Sequence, residues 1–248
     1  MFKRLTIQSA TLQREKQKDY RNVVIIQVII IVFGLTFSEF LIGGPGTPAA
    51  KLVTTILSCF GALYSFLLWD LLRDFTTDRR IIRGYLIILM VVVIGSLNEF
   101  PYYKIIEVPN RRMLLLMIHS LLFPLEVTVI AFGIRDIFSG EYLTPDKLWG
   151  SACLFLMIAI SFGSLYDLIC IIKPGSLGVP IELGLTNYSE CSAYSLCVVG
   201  GLDTPYPNAS RLIKSISIIE AVWSNLFVIL IIGKLMGLPR PPKPGESE

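Results

Sequence analysis

Six long apolar runs constrain this chain more than any other feature: residues 23–41, 52–72, 81–97, 113–134, 148–172 and 212–236. A helix needs about 20 apolar residues to cross the hydrocarbon of a bilayer, whereas a spanning strand alternates polarity over about ten. These runs are continuously apolar, so they read as helices. Inside lipid every backbone N–H and C=O must find its partner within the protein, and a helix does this segment by segment. Composition agrees, with 53% hydrophobic residues, above the roughly 45–50% of soluble domains. The expected fold is all-α and transmembrane, with the lipid bilayer as the chain's first partner.

Net charge is only +3, so the distribution of charge carries more information than its sum. With the N-terminus inside and six alternating spans, fifteen of the 22 basic residues fall on the inner side. They are Lys3, Arg4, Arg14, Lys16, Lys18, Arg21, Arg73, Arg79, Arg80, Arg83, Arg135, Lys147, Lys234, Arg240 and Lys243. Lys51, Lys104, Arg111, Arg112, Lys173, Arg211 and Lys214 fall outside. The excess of Lys and Arg on the inner side favours cytoplasmic termini, with the plasma membrane as the expected location. The first apolar run is too long for a signal-peptide core, so no cleaved signal is expected. The basic N-terminal segment is explained by topology, and nucleic-acid binding has no support.

Four regions follow. Residues 1–21 form a polar, basic segment, either an interfacial helix or a solvated tail. Residues 22–140 hold four spans, residues 141–237 a pore-like unit, and residues 238–248 a Pro-rich, charged, disordered tail. Residues 41–48 read as a turn, residues 71–80 and 139–146 as inner connections, and residues 98–112 as an outer loop. Cys59, Cys153, Cys170, Cys191 and Cys197 have no metal-ligand spacing and read as small apolar packing residues. No metal and no cofactor is expected, and no nucleotide-binding or hydrolase motif occurs.

The pore-like unit has its own logic. After span five comes a short run, residues 188–198, with room for about three helical turns. A Gly-Gly pair, an acid and two prolines follow (Val199, Gly200, Gly201, Leu202, Asp203, Thr204, Pro205, Tyr206, Pro207), and then a full apolar span. Non-helical backbone at membrane depth survives only where protein buries it or where it lines water. A loop of carbonyls can replace an ion's hydration shell, glycines permit the unusual dihedrals such a loop needs, and an acid at its mouth concentrates cations.

At these residues the chain resembles the potassium-channel pore family, whose two-helix module is shared by many cation channels. Val198, Val199, Gly200, Gly201, Leu202 and Asp203 stand at the filter positions. Ser192 stands where the family often has a pore-helix serine, and Pro205 or Pro207 takes the post-filter proline position. Arg211 begins the inner helix, and Glu220-Ala221 followed by an apolar stretch and Lys234-Leu235 is similar to the inner helix of bacterial members. The resemblance covers about 60 residues and implies a homotetramer conducting monovalent cations. Val198 replaces the family's threonine, Gly201 its tyrosine and Leu202 its second glycine. Cyclic-nucleotide-gated channels, which the stretch also resembles, likewise lack the Tyr-Gly pair and discriminate little among cations. The implied function is a weakly selective cation channel, built as a six-helix subunit with a re-entrant pore loop between helices five and six.

Other polar residues in the apolar runs are candidates for function or packing. Glu220 either faces the pore or bonds a neighbouring helix, and Ser224 and Asn225 are further pore-lining candidates. Glu190 and Glu182 flank the short helix, where either could brace the filter. Span four has no ladder of arginines at every third position, so voltage gating is not expected. His119, the only histidine, is a packing residue or a proton sensor, and Pro124 should kink that span. Asn187-Tyr188-Ser189 and Asn208-Ala209-Ser210 match glycosylation sequons. Two alternatives stand beside the channel: a non-conducting protein on a pore scaffold, and an intramembrane aspartyl protease using Asp167 and Asp203. The second is suggested by the Tyr166-Asp167 pair, which is similar to one half of that family's signature.

Overall fold

The computed structural model describes residues 2–42, 47–76, 78–97, 110–139, 142 and 144–237, and these are helical apart from their connections. The helices are α1 (Phe2–Ile42), α2 (Pro48–Phe75), α3 (Arg79–Leu97), α4 (Arg111–Phe138), α5 (Pro145–Ile172), α6 (Leu185–Gly200) and α7 (Arg211–Gly237). Five are long and apolar enough to cross a membrane: α2, α4, α5, α7 and the Arg14–Phe37 part of α1. The expected third span forms α3, which is not among the five. It has only 19 residues and carries Arg79, Arg80 and Arg83 in its opening turns.

The helix starts follow from local chemistry. Thr47 caps α2 by accepting the Ala50 N–H at 3.2 Å, and Pro48 occupies the first turn, where its missing N–H is harmless. Asn110 caps α4 through the Met113 N–H at 3.2 Å. Arg112 reaches over to the end of α5, where its Nε donates to the Ile171 carbonyl at 2.6 Å and a second guanidinium nitrogen donates to Ile172. A cation there satisfies carbonyls that the helix itself leaves unpaired. α4 continues through Pro124, whose carbonyl accepts the Thr128 hydroxyl.

α5 is the hub. Of its most apolar stretch 61% is buried, against 22–28% for the other four spans. The largest core cluster gathers Tyr20, Leu68, Leu71, Leu72, Val129, Leu154 and Met157 from α1, α2, α4 and α5. At this end Lys16 pairs with Asp136 at 2.8 Å, and the Tyr20 hydroxyl donates to the same carboxylate at 3.2 Å. Tyr20 also lies against Phe75 and packs over Gly150. The start of α1 therefore meets the ends of α2 and α4 and the start of α5, which is an antiparallel, alternating arrangement. Residues 14–21 are not a solvated tail: they extend the first span and carry Tyr20, which is fully buried.

α6 runs antiparallel to α5, with Asn187 against Asp167, Ser192 against Gly163 and Ser195 against Ala159. It starts three residues earlier and ends two residues later than the 188–198 read from the sequence. The chain then turns back, and the Ser210 N–H donates to the Ser176 carbonyl at 2.7 Å, close to where α5 ended. α7 departs from there. The turn at 43–46, most of the outer loop and the tail at 238–248 lie outside the described residues.

Candidate functional site

The end of α6 is set by one residue. Gly201 has φ 66° and ψ 25°, the left-handed conformation that glycine adopts without a Cβ clash. The Leu202 N–H donates to the Cys197 carbonyl at 2.8 Å and the Gly201 N–H to the Val198 carbonyl at 3.2 Å, the paired closure of a Schellman cap. Val198, Val199 and Gly200 are thus the last turn of a helix, where an extended filter was expected, and Leu202 and Asp203 open the return. Leucine is spared a positive φ, since Gly201 takes it; no described non-glycine residue has one. A Gly-Gly pair ahead of a proline is a helix stop as much as a filter signal, which is why the sequence reading set the boundary short. Gly200, Gly201, Leu202 and Asp203 are exposed, while Val198 packs towards Tyr166 and Tyr194.

The return segment is tied down at two places. The Tyr206 hydroxyl donates to Glu190 Oε2 at 2.6 Å, so Glu190 on α6 holds the return segment. Burial, and then the Glu190 carboxylate beside it, push the Tyr206 hydroxyl well above its ordinary value. Gly178 has φ 93°, and a Cβ there would lie 2.6 Å from the Asn208 carbonyl oxygen, so only glycine lets the two loops approach. Glu182 lies elsewhere, half-exposed and 3.5 Å from Arg111.

Behind α6 lies a buried triad. Glu220 is fully buried, accepts the Tyr166 hydroxyl at 2.5 Å, and is also hydrogen-bonded to Ser195 Oγ. The Ser195 hydroxyl also donates to the Ala159 carbonyl at 2.6 Å. Of the two readings open for Glu220, the bond to neighbouring helices is the one observed. Ser224, one turn on, is buried and its Oγ has no partner among the described residues. Asn225 is exposed on α7 beside Ile218, Val222, Trp223 and Ile229, an apolar face that no other described residue covers.

A second buried set lies nearer the C-terminal end of α5. Asp167 accepts from Asn187 Nδ2 at 2.5 Å, and its Oδ2 lies 2.6 Å from His119 Nδ1. His119 is therefore a carboxylate partner, with Tyr188 edge-on to its ring. Asn187 is only 2% exposed, which puts the first sequon out of reach of a glycan, whereas Asn208 is exposed. Asp167 is sealed in this set, while Asp203 is exposed on the return segment.

Ser192 lies on the face of α6 that packs against α5, over Gly163. Ser195 was not singled out from sequence, and Tyr166 and Asn187 entered only as half of a protease-like pair and as a sequon. Their partners are 20 to 54 residues away in the chain, a spacing no local pattern encodes. Among the described residues no group of three His, Cys, Asp or Glu side chains is placed to hold a metal ion. No protein-family model, curated protein or solved structure matches this chain.

The α5–α6 register can be checked chemically. Cys170 and Cys191 are buried with their sulfurs 3.9 Å apart, about 2 Å beyond a disulfide bond. Copper-phenanthroline oxidation of the membrane-embedded protein should join these two cysteines, read by mass spectrometry as loss of two hydrogens from the linked peptides. Cross-links from Cys170 to other cysteines, with none to Cys191, would mean a different register.

Proposed function

We propose that this chain is the subunit of a tetrameric, weakly selective channel for monovalent cations, with both termini cytoplasmic in the plasma membrane. The observation that carries the reading is the path of residues 185–237. α6 runs along α5 from its outer end, the chain turns at Gly201 and returns to the level of Ser176, and only then does α7 set off. That path leaves Gly200, Gly201, Leu202 and Asp203 exposed, and α7 keeps an exposed apolar face; neighbouring subunits would close around an axis on these surfaces. Glu220, Tyr166 and Ser195 supply the rigid backing that a conduction path needs. In this arrangement Asp203 concentrates cations at the mouth.

A second reading has its own support. The Cys197 and Val198 carbonyls are occupied by the helix cap, which leaves them unable to replace an ion's hydration shell. A non-conducting protein on a pore scaffold fits that closure. Purified protein in planar bilayers separates the two. The channel reading expects unitary currents with similar permeability to potassium and sodium, and smaller conductance in Asp203→Asn. Strong potassium preference would overturn weak selectivity, and silence across ions and voltages would favour the non-conducting protein.

A further inference from the structure

A cavity of about 320 Å³ lies among α1, α2, α4 and the rear of α6. Small-molecule sites begin at about 300 Å³. Its wall is largely apolar, with Ile30 from α1, Leu57 from α2, Leu122 from α4 and Ile160 from α5. Hydroxyls of Tyr64, Ser65, Tyr188 and Ser192, the His119 ring and one carboxyl interrupt that wall. Glu126 is 1% exposed, lines the cavity, and its Oε2 has no hydrogen-bond partner among the described residues. A buried acceptor left unpaired costs about 1–3 kcal/mol, and more when it is charged.

The chemistry of the missing partner can be read from the other groups on the wall. His119 also lines the cavity, and its Nδ1 lies 2.6 Å from Asp167 rather than on Glu126. No Lys or Arg is among the described lining residues. An anionic head would meet the Glu126 carboxyl with neutral hydroxyls but no Lys or Arg on the wall to offset the repulsion. A head that donates, and best one that is positively charged, would complete it with a charge-assisted hydrogen bond. The apolar wall suits an alkyl chain attached to that head.

We propose that this cavity binds a lipophilic amine, with its ammonium group on Glu126 Oε2 and its alkyl chain along Ile30, Leu57 and Leu122. The site is independent of whether the protein conducts.

The test uses the full chain in phosphatidylcholine nanodiscs, with decylamine, decanol and decanoate as probes that share a chain and differ in their heads. Binding is read as a saturable rise in unfolding temperature, corrected with discs that lack protein. Decylamine should raise it and decanoate should not. Glu126→Gln should weaken decylamine at least tenfold, and Leu122→Trp, which fills the cavity but keeps the carboxyl, should abolish the effect. Discs containing phosphatidylethanolamine identify the source of the head. Protection by that lipid, with loss of the decylamine effect, assigns the same ammonium site to a membrane lipid. Equal effects of decanoate and decylamine, or a Leu122→Trp protein that responds like wild type, would overturn the proposal even if Glu126→Gln failed to fold.

Discussion

Replacing Glu220 with alanine is expected to destabilise the protein by about 3 kcal/mol. Interhelical hydrogen bonds in membranes contribute about 0.6–1.7 kcal/mol each, and Glu220 makes two, to Tyr166 and Ser195. The truncation also leaves a cavity at a fully buried position, and residual cavity volume adds its own cost. Glu220→Gln keeps the shape: its amide oxygen can accept from Tyr166 and its NH2 can donate to Ser195 Oγ, whose own proton goes to the Ala159 carbonyl, so it should cost about 1 kcal/mol. Tyr166→Phe should cost about the same, and a double-mutant cycle between the two positions should show coupling well above that of distant pairs. Reversible unfolding in mixed micelles would measure all of these. A Glu220→Ala protein within about 0.5 kcal/mol of wild type would show that the carboxyl is not held between α5 and α6. Because the triad lies behind α6, the same variant should also loosen the segment proposed to line the pore.

Gly163 is the second sensitive position. A Cβ built there lies 2.9 Å from the Ser192 Cα, and the obstacle is backbone, which cannot rotate away. Gly163→Ala forces α6 off α5 and should cost about 2 kcal/mol, after allowing for the gain of about 1 kcal/mol that alanine brings to a helix interior. Gly163→Leu should exceed 3 kcal/mol, at the upper end of overpacking costs. Gly84→Ala is the matched control: nothing lies within 4 Å of its Cβ, so the same substitution should be neutral or stabilising by up to about 1 kcal/mol. Equal responses at the two glycines would mean that α5 and α6 are not in close contact. Small residues at such a crossing let backbones approach where no hydrophobic force draws helices together.

Residue by residue, the chain was legible where the information is local. The continuous apolar runs gave the helices, because backbone groups in lipid have no other way to be satisfied. α2 and α4 start at Pro48 and Arg111, ahead of the apolar runs at 52 and 113, because Thr47 and Asn110 cap N–H groups three residues on. The third expected span forms α3, whose first turns carry Arg79, Arg80 and Arg83 ahead of a continuously apolar remainder. The polar first twenty residues looked like a tail, but Tyr20 and Lys16 find partners on α4, over 100 residues away.

The candidate site divides along the same line. The Gly-Gly pair showed that the backbone must do something unusual near residue 200. It did not distinguish a filter from a helix cap, since glycine serves both by the same freedom of φ. Glu220, Asp167 and His119 stood out from sequence as polar groups in apolar surroundings. Only the packing of α5, α6 and α7 revealed that Glu220 turns to Tyr166 and Ser195, that Asp167 and His119 answer each other, and that Glu126 keeps an unpaired oxygen beside a cavity. Sequence by itself determined that this chain makes long apolar helices with a short helix and a glycine turn before the last, because hydrogen bonding within a segment depends only on that segment. The tertiary structure decided which buried charge meets which partner, because a polar group in an apolar interior is satisfied by whatever helix the fold brings within about 3 Å.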